Sequence, residues 1–363
     1  MVYNPQNILI TGGCGFIGTN FIRYLLKKYK DITIVNVDKL TYAGNLLSLK
    51  DISEKYKERY YFYREDIINS ASIFKIMERH HVDTIVNFAA ESHVDRSILN
   101  PEIFLTTNTL GTLRLLEVAR NFWGNDNNVR FHHISTDEVY GSLKDHGKFS
   151  ENSCYKPSSP YSASKAGADH FVYSYYRTFN LPITITNSSN NYGPYQFPEK
   201  LIPLTIINCL NHKRIPIYGK GENIRNWLFV EDHCEGIDVV IRKGEIGESY
   251  NIASNDELKN IVLVENICKI LDEIKPSKKV KSYSELISFV EDRPGHDYRY
   301  ALSFDKVKKL GWTPKTSMEK GLQKTVMWYV ENENWWRSIL NQEYIEFYEK
   351  WYGGKNLGEK FPQ

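Results

Sequence analysis

No run in this chain of 363 residues approaches the roughly 18 apolar residues that a membrane-crossing helix requires. Cysteine is sparse. Cys14, Cys154, Cys209, Cys234 and Cys268 are scattered, odd in number and free of any CxxC spacing, which argues against a disulfide framework and a structural zinc site; no metal is expected. An excess of one charge is lacking as well: 46 Lys and Arg stand against 44 Asp and Glu, a net charge of +2. No sequence-wide field therefore favours nucleic acid or an anionic membrane. The opening MVYNPQ has neither the basic start nor the apolar stretch of a secretory signal, so a reducing, cytoplasmic setting is expected. Internal repeats and low-complexity tracts are absent from the sequence. What is present is ordinary for a globular chain, 41% hydrophobic and 25% charged residues. Its length exceeds the roughly 250–300 residues at which single cores stop growing, which implies one large domain or two.

In the first half, apolar strand-like runs alternate with helical ones. Candidate strands cover 7–11, 31–38, 59–66, 83–90, 130–136 and 181–189, with helices at 15–29, 70–80, 101–121 and 161–179. This alternation predicts the α/β class: a Rossmann-type doubly wound parallel sheet with a smaller, interleaved C-terminal substrate domain. The division expected is a dinucleotide-binding part over 1–190, with return segments near 225–255, and a substrate part mainly over 191–363. Turn formers crowd NNYGPYQFPEK, where the pattern changes. Trp328, Trp335, Trp336 and Trp351 read as helix-packing anchors, and the tail from Gly353 as loose.

TGGCGFIG follows the first strand and opens the first helix. Gly12, Gly15 and Gly18 form GxxGxxG, the spacing variant of short-chain dehydrogenase/reductase-like proteins. Glycines permit a tight turn and close backbone approach, and the helix N-terminus attracts a pyrophosphate; Gly13, Phe16 and Ile17 belong to the same loop, and Cys14 is a small residue within it. Asp38 closes the second strand, where a carboxylate accepts from both adenosine-ribose hydroxyls and repels a 2′-phosphate. NAD is therefore favoured over NADP, although an Asp there can also simply cap the next turn. Phe88-Ala89-Ala90 ends the fourth strand with small residues that let the backbone lie against the cofactor.

Tyr161 and Lys165 form a YxxxK pair, i and i+4 on one helix face. The ammonium can stabilise a phenolate and bind the nicotinamide ribose. Tyr24/Lys28 and Tyr140/Lys144 match the spacing too, but only Tyr161 follows the whole βαβ series and starts a helix after Pro160. Ser135-Thr136-Asp137-Glu138 ends the preceding strand, on the side of a parallel sheet that faces the ligand crevice. A plain reductase needs a hydroxyl there, not two carboxyls; a pair permits an added acid and base step.

TGGCGFIGTN, NVDKLTYAGN, FAAESHVDRSI, HHISTDEVYG, PYSASKAGADH, SSNNYGPYQFPEKLIPL, YGKGENIRNWLFVEDH, EDRPGHDYRY and LGWTPKTSMEKGL run over nearly the full chain. In combination they closely resemble the nucleotide-sugar 4,6-dehydratases of the extended short-chain dehydrogenase/reductase superfamily. The resemblance implies a three-stage reaction on a dTDP-hexose, with UDP-hexose open. Tyr161 takes the C4 hydroxyl proton while the C4 hydride goes to NAD, and Thr136 bonds the C4 oxygen. Glu138 then removes the C5 proton and Asp137 protonates the departing C6 hydroxyl. Hydride returns to C6, leaving a 4-keto-6-deoxy sugar nucleotide. The resemblance also adds Lys39 and Thr41 to the cofactor site, puts Asp66-Ile67 at the adenine, and sets Ser92 and Thr107 in the cofactor–sugar crevice. Arg225 and Arg293 match its diphosphate positions. Asn191, Lys200, Leu201, Asn260 and His296 match further substrate contacts, and Pro216 and Tyr218 lie by the base, Tyr218 as a stacking platform. Asn226 stands where the family often has Asp, which leaves open what holds Arg225. A homodimer through helices 101–121 and 161–179 is implied. A 4-epimerase shares NAD, Tyr161 and Lys165 but needs no Asp137–Glu138 pair, and a non-catalytic binding protein needs none of the four.

Overall fold

The structure is a computed structural model that describes residues 2–340 with Tyr344, Glu346, Tyr348 and Trp351; the expected loose tail from Gly353 lies outside the described residues. Strands form where the short apolar runs fall: β1 (Asn7–Thr11), β2 (Thr33–Asp38), β3 (Tyr60–Arg64), β4 (Thr84–Asn87), β5 (Arg130–Thr136) and β6 (Ile183–Ser188). They are followed by β7 (Asn190–Tyr192), β8 (Ile215–Tyr218), β9 (Ile224–Phe229), β10 (Ser249–Ile252), β11 (Glu257–Lys259) and β12 (Ile287–Val290). Seven of these make one parallel sheet in the order β10-β6-β5-β4-β1-β2-β3. Both of its faces are covered. Helices Phe16–Lys28 and Val230–Lys243 pack on one side and Ser70–His80, Gly111–Trp123 and Pro160–Phe179 on the other, so the inner strands are apolar on both faces. Chain order reverses between β1 and β4, which opens a crevice at their C-terminal ends.

A second core gathers helices Leu201–Leu210, Asn260–Ile274 and Met318–Glu331 around the small β11-β9-β7 and β12-β8 sheets. Trp336 is fully buried there, with Trp328 and Trp335 packed alongside. Trp351 departs from the expected packing role, since its indole N–H donates to the Tyr218 hydroxyl. All five cysteines carry free thiols.

One helix differs from its expected form. The run expected at 101–121 is an α-turn, Pro101–Phe104, a π-helical stretch, Leu105–Leu110, and then the helix Gly111–Trp123. Its cause lies in Asn108, whose amide accepts from the Glu91 N–H at 2.9 Å, donates to the Glu91 carbonyl at 3.0 Å and reaches Ser164 Oγ at 2.8 Å. Tying a buried side chain to β4's exit and to the next helix favours the wider turn, and Thr107 reaches the crevice from it.

Candidate active site

A cavity of about 300 Å³ occupies the crevice. Its floor is the glycine turn. Gly12 has φ of +66°, and a Cβ there would lie 2.7 Å from Ala89 N, so β1 and β4 meet backbone to backbone. A Cβ on Gly18 would lie 2.5 Å from the Gly12 carbonyl, which lets the first helix sit down on the turn. That helix starts at an N-cap glycine, Gly15, with no side-chain cap and no acidic residue in its first turn. Its first N–H groups are therefore left for an anionic ligand. Gly13 does not line the cavity. It packs inward, where a Cβ would strike the Asn36 side chain at 2.2 Å.

Asp38 lies at the end of β2 and is nearly buried. Oδ2 accepts from Cys14 N–H at 2.8 Å and Oδ1 from Leu40 N–H at 2.7 Å. The capping reading is thus present alongside the ribose reading, because each carboxylate oxygen keeps a second lone pair. Burial raises its pKa, and the two N–H groups oppose that. Lys39 pairs with Asp66 at 2.8 Å. Lys39, Thr41, Asp66 and Ile67 line one end of the cavity, and Phe88, Ala89, Ala90, Ser92 and Thr107 continue along it. The glycine cradle, the uncapped helix start and the carboxylate fit a dinucleotide.

At the other end Thr136, Asp137, Glu138, Tyr161 and Lys165 converge with Asn191 and Lys200. Helix Pro160–Phe179 is started by a Ser159–Ser162 capping box with Pro160 at N1, which points Tyr161 and Lys165 inward. The two other YxxxK matches lie outside the cavity. Lys28 donates to Tyr24 OH and to Asp238, and Tyr140 OH donates to Asn251. Tyr161 and Thr136 line the cavity together. Burial first, then Glu138, pushes the Tyr161 phenol above the ordinary range. Burial brings Lys165 down to about 8.

The two carboxyls are not equivalent. Asp137 is fully buried and its Oδ2 has no hydrogen-bond partner among the described residues; burial and then Glu138 raise it well above the carboxylate range. Glu138 is half-buried. Burial raises it too, but Arg293, Lys200 and Arg225 pull it back. Two carboxyls pushed apart in this way are an acid and a base by environment.

The remaining predicted substrate residues do not line the cavity; they gather past Glu138 or in the second core. Arg293 pairs with Asp95 at 2.8 Å, Tyr218 OH donates to the same carboxylate at 2.9 Å, and His296 packs against Tyr218 and contacts Asp292 at 2.6 Å. Arg225 donates to the carbonyls of Ile224 and Asp297, both at 2.9 Å, and stacks on Tyr300. Asn226 takes no part in holding it. Its amide donates to the Ser254 carbonyl at 2.9 Å, a bond an aspartate could not make. Leu201 opens the helix after Lys200, Pro216 is buried in β8, and Asn260 begins the helix after β11. Sequence reasoning missed Asp95, which holds Arg293 and Tyr218 together, and Glu199, which pairs with Arg96 at 3.1 Å and accepts from Tyr42. Both lie inside the quoted runs HVDRSI and FPEKL, but nothing in a linear pattern shows what a carboxylate faces.

A family model described as GDP-mannose 4,6 dehydratase matches residues 9–325. A curated dTDP-glucose 4,6-dehydratase of Salmonella typhimurium is 52% identical over 96% of this chain and 100% of its own length. One from Escherichia coli K12 is 50% identical over the same shares. The crystal structure of dTDP-glucose 4,6-dehydratase from Bacillus anthracis, in complex with NAD, superposes with a TM-score of 0.82 at 45% identity, covering 92% of this chain and 99% of that one. Its counterpart from Streptomyces venezuelae, also with NAD bound, gives 0.84 at 42%, covering 92% and 100%. The UDP-glucose 4-epimerase of Thermotoga maritima gives 0.79 at 26%, covering 90% and 100%.

Replacing Asp38 by Ala removes the acceptor of two backbone N–H groups and, on the ribose reading, the carboxylate that meets the cofactor. Calorimetric titration with NAD should show binding weakened by about 10- to 100-fold, the equivalent of about 1.5–3 kcal/mol for charge-assisted hydrogen bonds, and a narrower preference over NADP. Unchanged affinity would undo the ribose argument.

Proposed function

The chain belongs to the GDP-mannose 4,6-dehydratase family, and from that premise we propose that it converts dTDP-glucose to dTDP-4-keto-6-deoxyglucose with NAD as its resident cofactor. Relatives about half identical over the full length support the nucleotide. One observation carries the chemistry: Asp137 and Glu138 stand in the same cavity as Thr136, Tyr161 and Lys165, with their environments split into acid and base.

Gly12, Gly15, Phe16, Ile17 and Gly18 hold the pyrophosphate, Asp38 the adenosine ribose, and Lys165 the nicotinamide ribose. When bound, NAD supplies reversible hydride storage and, in its oxidised state, a cationic ring that favours the phenolate of Tyr161. Thr136 and Tyr161 grip the C4 hydroxyl, and Tyr161 takes its proton. A ketone at C4 acidifies the C5–H bond, which is otherwise far too weak an acid. Glu138 removes the C5 proton, and Asp137, protonated in its buried site, gives its proton to the C6 oxygen, which leaves as water. Glu138 returns a proton to C5. The sequence is redox-neutral, since C4 is oxidised and C6 reduced by the same two electrons. Arg225 and Arg293 meet the diphosphate, Lys200 makes a further substrate contact, and Tyr218 and Pro216 lie beside the base.

The division of labour follows the sheet. Residues 1–190 with returns near 225–255 bind NAD, and 191–363 mainly bind the nucleotide sugar, β10 being a return strand. The chain works in the cytoplasm, in keeping with its free thiols. It pairs as a homodimer. Leu99, Ile103, Leu105, Phe171 and Phe179 leave apolar surface exposed on the adjacent helices around 101–123 and 160–179. Sedimentation should give twice the chain mass, and Leu105→Glu with Phe171→Glu should give monomers; a monomeric parent would refute the pairing.

A panel of dTDP-, UDP-, CDP- and GDP-hexoses, read by mass for loss of water, tests the reaction. Water loss from dTDP-glucose above the others is expected. Water loss from UDP-glucose alone would move the assignment to that nucleotide, and epimerisation without water loss would overturn it. In Glu138→Gln, C4 oxidation should outrun elimination. Reduced cofactor should then accumulate and turnover fall by about 10²–10⁴-fold, the span of a general base. Full turnover would remove Glu138 from its role.

A further inference from the structure

Lys165 is only 3% exposed, and its Nζ donates to the Ile134 carbonyl at 2.7 Å. A neutral carbonyl does not balance an ammonium removed from water. One turn further along the same helix lies Asp169, fully buried and outside the cavity lining, with no part in the chemistry above. Its Oδ2 accepts from Ser135 Oγ at 2.6 Å and from Tyr155 OH at 2.9 Å. Two hydroxyl donors on one oxygen favour the ionised carboxylate.

Between cation and anion stands His133, also fully buried. Its Nε2 is 3.3 Å from Lys165 Nζ and 3.4 Å from Asp169 Oδ1. The position of its ring proton follows from the neighbouring strands, where Thr11, Asn87 and His133 lie in register across β1, β4 and β5. Thr11 Oγ1 donates to Asn87 Oδ1 at 2.6 Å, the length of an O–H···O bond, which fixes the amide orientation. Asn87 Nδ2 then faces Thr112 Oγ1 and His133 Nδ1, each at 3.1 Å, and donates to both. Nδ1 is an acceptor, and burial keeps the ring neutral. That argument places the ring proton on Nε2, the atom that stands between Lys165 Nζ and Asp169 Oδ1; Oδ1 itself has no hydrogen-bond partner among the described residues.

We propose that Asp169 is a positioning residue: it is the buried counter-ion that keeps Lys165 protonated, its own charge held by Ser135 and Tyr155, with the neutral ring of His133 between the two. The inference rests on the reading of Lys165 as the cation that binds the nicotinamide ribose. Of the titratable groups around Lys165, Asp169 lies on its own helix and His133 on β5, while Tyr161, Asp137 and Glu138 line the same cavity. Burial pulls Lys165 down and Asp169 acts against that. Burial likewise raises Asp169, with Lys165, Ser135 and Tyr155 pulling it back. A group whose charged acid form is stabilised by an anion loses its proton at lower pH when the anion is removed.

The test is a titration of ¹³Cε-labelled lysines by NMR on the NAD-loaded protein, with Lys165 assigned by its loss in Lys165→Arg. Asp169→Asn should move the Lys165 midpoint down by about one pH unit, a tenfold change in proton affinity. The alkaline limb of single-turnover NADH formation should move with it. A packing role alone would lower rate and melting temperature and leave both midpoints in place. If Asp169→Asn does not fold, the double variant Ser135→Ala/Tyr155→Phe strips the carboxylate of its donors and should shift Lys165 in the same direction. An unmoved Lys165 in either folded variant overturns the proposal. Because the titration needs no turnover, failure of the hexose panel would fault the dehydratase reading and leave this result standing.

Discussion

Strand β5 carries polar side chains through the middle of a sheet that is covered on both faces, and every one of them must find a partner there. All seven of its residues are buried. His132 is satisfied by Thr184 and Thr186 of β6, His133 by Asn87 of β4, and Ser135 by Asp169. A buried polar group left unpaired costs about 1–3 kcal/mol, so the register of three strands and one helix is tied to this row. The same desolvation that demands pairing inside the sheet drives the chemistry at its end. There the row runs out into Thr136, Asp137 and Glu138, beside the cavity, and pairing is left incomplete.

That incompleteness separates two adjacent carboxyls. Asp137 is the more deeply buried at the cavity, has an oxygen with no hydrogen-bond partner among the described residues and feels Glu138 as a like charge, whereas Glu138 feels three cationic side chains. Neighbours in sequence thus differ in environment because the tight turn Asp137–Tyr140 after β5 buries one more deeply than the other. The cofactor end follows a different rule. It needs no charge of its own beyond Asp38, because a glycine turn, the close contact of β1 with β4 and an uncapped helix start already present N–H groups to an anion.

Local pattern was enough for the strands and most of the helices of the first half, and named none of the elements after residue 190. Hydrophobic runs of strand length and amphipathic runs of helix length leave few arrangements once βαβ chirality and a parallel sheet are assumed. It failed at Leu105–Leu110, where periodicity reads as one helix and a single buried amide, Asn108, ties the chain to Glu91 and Ser164 and opens a π-turn. It was also blind to Asp95. A carboxylate in HVDRSI looks like a helix-start residue, and that it clasps Arg293 and Tyr218 depends on chain returning from 198 and 123 residues away.

The sequence by itself determined the class of fold, the glycine turn, the YxxxK pair and the adjacent carboxyls, because these depend on spacing within one strand, one turn or one helix. Only the tertiary structure decided what the two other YxxxK pairs bond to instead, which carboxyl is the more deeply buried, what holds Arg225 once Asn226 is spoken for, and what stands behind Lys165. Each of these is a matter of burial and of partners brought from distant segments, and desolvation and hydrogen bonding act through space, which a linear pattern does not record.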